Sequence, residues 1–149
     1  MTPLVRIQTA DIDAARELQA LAGRSGDAGA IATFSGHVRA DGGLDALTLE
    51  HYPGMTEREI ARHVAEAESK WPLLGATIIH RIGRLVPGER IVFVAVASAH
   101  RRAAFEACAF LMDHLKTRAP FWKREERGAH SQWVEARAAD EEAAGRWRK

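Results

Sequence analysis

The sequence predicts an α+β fold built around a mainly antiparallel sheet, and three observations carry that prediction. Ile91 to Ala97 is apolar at every position, as a strand covered on both faces must be. The turn Val86-Pro87-Gly88-Glu89 joins this run to an earlier strand-like stretch, which makes the pair a hairpin. Two long stretches, one after Met55 and one after Arg101, switch to helical periodicity.

Each element follows in order. Val5 to Gln8 reads as a short edge strand. Asp11 to Ala22 reads as a helix with Ile12, Ala15 and Leu18 on one face and Gly23 as its stop. After a Gly-rich loop at 23–29, Ala30 to Ser35 is a strand that exits through Gly36-His37-Val38-Arg39. Asp41-Gly42-Gly43 is a turn, and Leu44 to His51 alternates, with Leu47 and Leu49 opposed to Thr48 and Glu50. Thr56 and Glu59 have capping-box spacing, with Met55 and Ile60 placed as a hydrophobic staple. The helix they open carries Ile60, Val64, Ala67 and Trp71 on one face and ends at Pro72. Ala76 to Leu85 and Arg90 to Ser98 are the hairpin strands. Arg101 to Arg118 is a helix whose apolar stripe is Phe105, Cys108, Ala109, Met112 and Leu115, stopped by Pro120. Ser131 to Arg137 reads as a short strand, and Asp140 to Trp147 as a last helical turn.

The chain has 149 residues, enough to bury a core as one domain spanning 1–149, and no repeat or linker divides it. Twenty-one basic residues nearly balance twenty acidic ones, which argues against a protein that coats nucleic acid. Only four of the basic residues are lysines, and two of these, Lys116 and Lys123, stand seven positions apart. The single cysteine, Cys108, falls on an apolar helix stripe and reads as core. No signal peptide or membrane-length apolar run is legible, so the expected location is the cytoplasm.

Three clusters could carry chemistry. His100-Arg101-Arg102 follows a buried strand and opens a helix, where free N–H groups and the helix dipole favour an anion; helix capping and surface ion pairing explain the same residues. Lys116 falls in the last turn of that helix, where the dipole favours any cation. Lys123 follows Phe121 and Trp122, which can hold its stem while the ammonium faces a pocket. Ammoniums set near guanidiniums are pushed toward the neutral amine, a base or nucleophile. His37-Val38-Arg39 ends a core strand, a usual place for binding groups, although a solvated His or Arg is as common there. His51, His63, His80 and His114 have no partner at metal-ligand spacing along the chain, and no metal site is expected.

The segments GAIATFSGHVR, LEHYPGMTEREI, HRIGRLVPGE, VFVAVASAHRRAAFEAC and DHLKTRAPFWKRE occur in an order and spacing that resembles the large, catalytic subunits of molybdopterin synthase, the MoaE family. The match runs from about Gly29 to Trp147. The resemblance implies an α/β hammerhead with an added antiparallel sheet. It implies a sulfurtransferase that converts cyclic pyranopterin monophosphate into the dithiolene of molybdopterin. The sulfur donor is a small ubiquitin-like carrier subunit ending in a thiocarboxylate, and two large subunits form a central homodimer within a heterotetramer. No metal or organic cofactor is implied.

By resemblance, Lys116 and Lys123 are the catalytic lysines. His37, Val38, Arg39, His100, Arg101, Arg124 and Glu125 line the substrate site with them, and Arg137 matches an arginine offered across the dimer interface. Phe34, Phe121 and Trp122 are the aromatic residues expected to wall a groove for the carrier tail. Two other readings of the same cations are a phosphate- or RNA-binding module, marked by steep salt dependence, and a noncatalytic scaffold that only docks the carrier.

Overall fold

The computed structural model describes residues 1–134 and 143–147. Among the described residues, two four-stranded sheets and three long α-helices make up the fold. The first sheet has the order β1 (Leu4–Gln8), β4 (Gly75–Arg81), β6 (Arg90–Ser98), β2 (Ala30–His37). Only β1 and β4 run parallel; the other pairs are antiparallel. The second sheet, wholly antiparallel, has the order β5 (Gly83–Leu85), β3 (Ala46–His51), β7 (Phe121–Arg127), β8 (His130–Val134). The expected α+β class with a mainly antiparallel sheet is what the chain adopts.

Strand β6 explains itself. Successive side chains point to opposite faces. Phe93, Ala95 and Ala97 therefore pack with Ile79 beneath helix α1 (Ala14–Arg24), sharing a cluster with Ile12 and Leu21. Val92, Val94 and Val96 pack on the other face with Ile78, under helices α2 (Met55–Lys70) and α3 (Arg101–Thr117). Both faces are covered, so the run is apolar throughout.

Several local expectations change. The stretch 76–85 is two strands, not one. The chain leaves β4 at Arg81, turns through Gly83 at φ 90°, and enters the second sheet as β5. Glycine takes that backbone without strain. As one hairpin strand the stretch hides this step, because Gly83 is its only local signal. Helix α1 begins at Ala14, capped by Asp13, whose Oδ1 accepts from Arg16 N–H at 3.1 Å. Ile12 precedes it, Leu18 is exposed, and Leu21 is the buried anchor.

Helix α2 begins after Gly54, whose N–H donates to Glu57 Oε1 at 2.9 Å. Glu57, not Glu59, is thus the capping acid, Glu59 pairs with Arg62, and Met55 is exposed and staples nothing. Thr56 acts instead as a buried tie: its hydroxyl accepts from Tyr52 N–H and donates to the Pro120 carbonyl, both at 3.0 Å. On α3, Phe105 points outward at 66% exposure, while Phe110 and Leu111 are buried. The segment after Pro120, to which the sequence assigns no element, is strand β7. The second half of the strand expected at 131–137 lies outside the described residues. No helix among the described residues is long and apolar enough to cross a membrane.

Candidate functional site

The two sheets meet the last turn of α3 around two adjoining cavities. The larger, about 300 Å³, lies between sheet residues Leu49, Lys123 and Val134, the α3 end from Met112 to Thr117, and His80 with Val92 of the first sheet; Phe121 and Trp122 complete it. The second, about 250 Å³, opens toward His37, Val38, Arg39, Asp41, Glu125 and Arg127. Lys116, Lys123, Ile91 and Val134 line both. The two lysines therefore stand where the cavities adjoin.

Each lysine is placed by its own element. Lys116 sits in the last turn of α3, which is closed by Arg118 N–H donating to the His114 carbonyl at 2.7 Å. Lys123 is in β7, opposite Leu49 of β3 and Val134 of β8, and strand alternation puts Lys123, Glu125 and Arg127 on one face. That face is the cavity face.

The same alternation turns Arg124 away. It lies outside both linings, its guanidinium 5.8 Å from the Trp133 ring centre. Arg127, which the sequence reading passed over, takes the place expected of Arg124. It donates to the carbonyls of Gly42 and Asp41 and pairs with Glu125 at 3.0 Å. Reading FWKREER as a strand would have found it by counting in twos.

The strand exit at 37–39 is pinned against the 86–89 turn. Val38 N–H donates to the Glu89 carbonyl at 2.9 Å, and Gly88 N–H to the Val38 carbonyl at 2.8 Å. His37 Nδ1 lies 3.3 Å from the Gly88 carbonyl. Val38 is buried, and Arg39 is exposed and pairs with Asp41 at 2.8 Å. An exposed pair of this kind is weak and can be exchanged for an incoming anion.

His80 is a cavity residue that no motif in the sequence singles out. It is buried in β4 and stacks on Phe121 of β7, ring centres 4.0 Å apart and planes 21° apart, so one ring pair joins the two sheets at the site. Burial pushes its pKa down to about 4, against a hydrogen bond with the Arg81 carbonyl, and Lys116 and Lys123 act in the same direction as burial. It is a neutral ring at physiological pH. Its Nδ1 carries the proton, because the carbonyl 2.8 Å away can only accept.

The remaining expected residues separate from this group. His100 and Arg101 are exposed at the opposite end of α3, sixteen and fifteen residues before Lys116, so that Arg101 is about 22 Å away along the helix. Phe34 lies on strand β2, 40% exposed and outside both linings, whereas Phe121 and Trp122 line the larger cavity. Arg137 lies outside the described residues. Cys108 is buried, and burial pushes its thiol up to about 11, as a core cysteine requires.

Chemically, the arrangement is a concave surface with Arg39, Lys116, Lys123 and Arg127 around it and apolar walls behind. Such a surface binds anions and stabilises charge that develops during reaction.

The comparisons with known proteins agree on what the chain resembles. The family model described as MoaE protein matches residues 7–118. A molybdopterin synthase catalytic subunit from Mesorhizobium japonicum is 56% identical over 151 residues, covering 99% of this chain and 95% of that protein. Among solved structures, the molybdopterin biosynthesis MoaE protein from Burkholderia ambifaria superposes with a TM-score of 0.86 at 46% identity, covering 98% of each chain. A chain from a complex of subunits 1 and 2 of the molybdopterin-converting factor of Helicobacter pylori shares the fold, with a TM-score of 0.76 at 18% identity over 89% of this chain and 91% of that one. The family model takes in most of the chain and the relatives align nearly end to end with it, so the chain belongs to the MoaE family of molybdopterin synthase catalytic subunits.

Proposed function

We propose that the chain transfers sulfur from a thiocarboxylated carrier protein to cyclic pyranopterin monophosphate, forming the dithiolene of molybdopterin. The observation that carries this reading is the convergence of Lys116 and Lys123, from a helix end and a strand, on the junction of two cavities. Two cavities that share a pair of ammoniums suit a reaction between two anions. One takes the pterin phosphate and the other the extended tail of the carrier.

In each transfer the thiocarboxylate sulfur bonds to a side-chain carbon of the pterin as that carbon's bond to oxygen breaks, the oxygen leaving on the opened phosphate in one transfer and as water in the other. Water then cleaves the acyl carbon–sulfur bond, so that the carrier departs as a carboxylate and the sulfur stays on the pterin. Bringing two anions together costs repulsion, which the surrounding cations offset. Arg39 holds the phosphate. Lys116 activates the reacting carbon or moves the proton as sulfur attacks. Lys123 stabilises charge developing on the departing carboxylate or phosphate oxygen. The carrier tail enters as an extended peptide along Phe121 and Trp122. Cysteine usage is in keeping with a cytoplasmic enzyme, the only thiol being buried and protonated.

His100 and Arg101 fit this reading through the homodimer. They are too far from Lys116 of their own chain, so any contact they make with substrate is in the cavity of a second copy. The test combines purified protein, thiocarboxylated carrier and cyclic precursor, and assays molybdopterin. Formation of the dithiolene, dependent on both reagents, is the expected result. Tight carrier binding with no product points instead to a docking scaffold.

A further inference from the structure

Away from the cavities, α2 and α3 bring together three side chains that the proposed chemistry does not use. His63 and Glu66 lie one turn apart on α2, and His114 lies near the end of α3. One donor atom from each falls within 4.8 Å of the others, and the two imidazole centres are 4.8 Å apart. The spacing along the chain hid the cluster, since His63 and His114 belong to different helices.

His63 is the telling member. It is 4% exposed, and neither of its ring nitrogens has a hydrogen-bond partner among the described residues. Buried polar atoms are ordinarily satisfied, and leaving two unpaired is costly. His63 Nδ1 stands 3.9 Å from Glu66 Oε1, too far for a hydrogen bond. It is close to the separation of about 3.3 Å between two ligands on one tetrahedral zinc ion. His114 is already oriented as metal-binding histidines are: its Nδ1 donates to the Phe110 carbonyl at 2.9 Å, which leaves the Nε2 lone pair free to bind.

We propose that His63, Glu66 and His114 bind a divalent transition-metal ion, with zinc the best fit to two imidazoles and one carboxylate. Glu66 now accepts from Arg62 at 3.2 Å, and Arg62 also holds Glu59 at 2.9 Å, so Arg62 keeps a partner when Glu66 turns to the ion. Water takes the fourth position. The ion clamps α2 to the end of α3. His114 precedes Lys116 by two residues, which puts the clamp on the opposite side of the helix from the lysine. The clamp thus fixes the turn that presents Lys116 and takes no part in the chemistry.

The test uses tag-free, chelator-treated protein titrated with Co²⁺ and then Zn²⁺. The expected result is one Co²⁺ per chain with a Kd below roughly 10 μM, the visible bands of a four- or five-coordinate ion, and displacement by Zn²⁺ with a rise in Tm. His63→Phe, which keeps an aromatic ring at the buried position and removes both nitrogens, abolishes those bands. Glu66→Gln, a change at a half-exposed side chain that leaves the fold intact, weakens binding at least tenfold. Absence of the bands in the unaltered protein overturns the proposal. So does equal Co²⁺ affinity in Glu66→Gln and the unaltered protein, because binding then belongs to other histidines.

Discussion

Lys116 and Lys123 were legible because lysine is scarce in this chain and both stand beside strong punctuation, the helix stop at Pro120 and the Phe121-Trp122 pair. Arg127 and His80 were not, for different reasons. Arg127 is identified only once β7 is known to be a strand, and two arginines in the segment compete for the role. Its place in the lining predicts that Arg127→Ala lowers turnover about tenfold, while Arg124→Ala, facing Trp133, leaves it within about twofold. Steady-state rates with the thiocarboxylated carrier decide between them. His80 was hidden because a histidine in an apolar strand looks like core. Its pKa is held near 4 in the fold and is about 6.5 in the unfolded chain. Between those values the unfolded state binds a proton that the native state does not. Its contribution is therefore complete above pH 6.5 and is lost as pH falls toward 4, a change on the order of 3 kcal/mol. Urea unfolding across that range shows the loss, and His80→Phe, which keeps the stack on Phe121, makes the profile shallower.

At the scale of elements, strand and helix existence was readable from periodicity, but their ends depended on contacts between distant parts of the chain. The start of α2 illustrates this. Thr56 has a capping residue's chemistry, yet its hydroxyl is used by Tyr52 and Pro120, and Glu57 caps instead. The break at Arg81 that sends β5 to the second sheet has no signature beyond a single glycine. Close packing between elements makes a sharp contrast of two further glycines. Gly75 opens β4 against α1, where an added Cβ would run into the Ser25 hydroxyl and Leu21. Gly75→Ala is expected to destabilise by about 1–3 kcal/mol. Gly23, in the last turn of α1, has open space around it. Gly23→Ala is expected to stabilise by about 0.5–1 kcal/mol through helix propensity and a stiffer unfolded chain. Denaturant midpoints of the two variants should move in opposite directions.

For the molecule as a whole, two sheets and a helix end converge on one cationic surface, and no single stretch of sequence contains it. The His100–Arg101 pair stands at the far end of α3 from that surface, so a part in the proposed chemistry requires the proposed homodimer. In a twofold dimer the two faults can be placed on different chains. One chain carries Lys116→Ala and the other carries His100→Ala with Arg101→Ala. Random mixing makes half the dimers mixed, and each mixed dimer has one complete site of two. Activity should recover to about a quarter of normal. A site built within one chain predicts no recovery.

The proposed sulfur transfer depends above all on Lys116. The direct measurement is single-turnover formation of molybdopterin by Lys116→Ala, with carrier affinity and thermal stability recorded on the same preparation. Lys116 is exposed at a helix end, so the variant should fold and bind the carrier normally while the rate drops at least about a hundredfold. A near-normal rate from that variant contradicts the account.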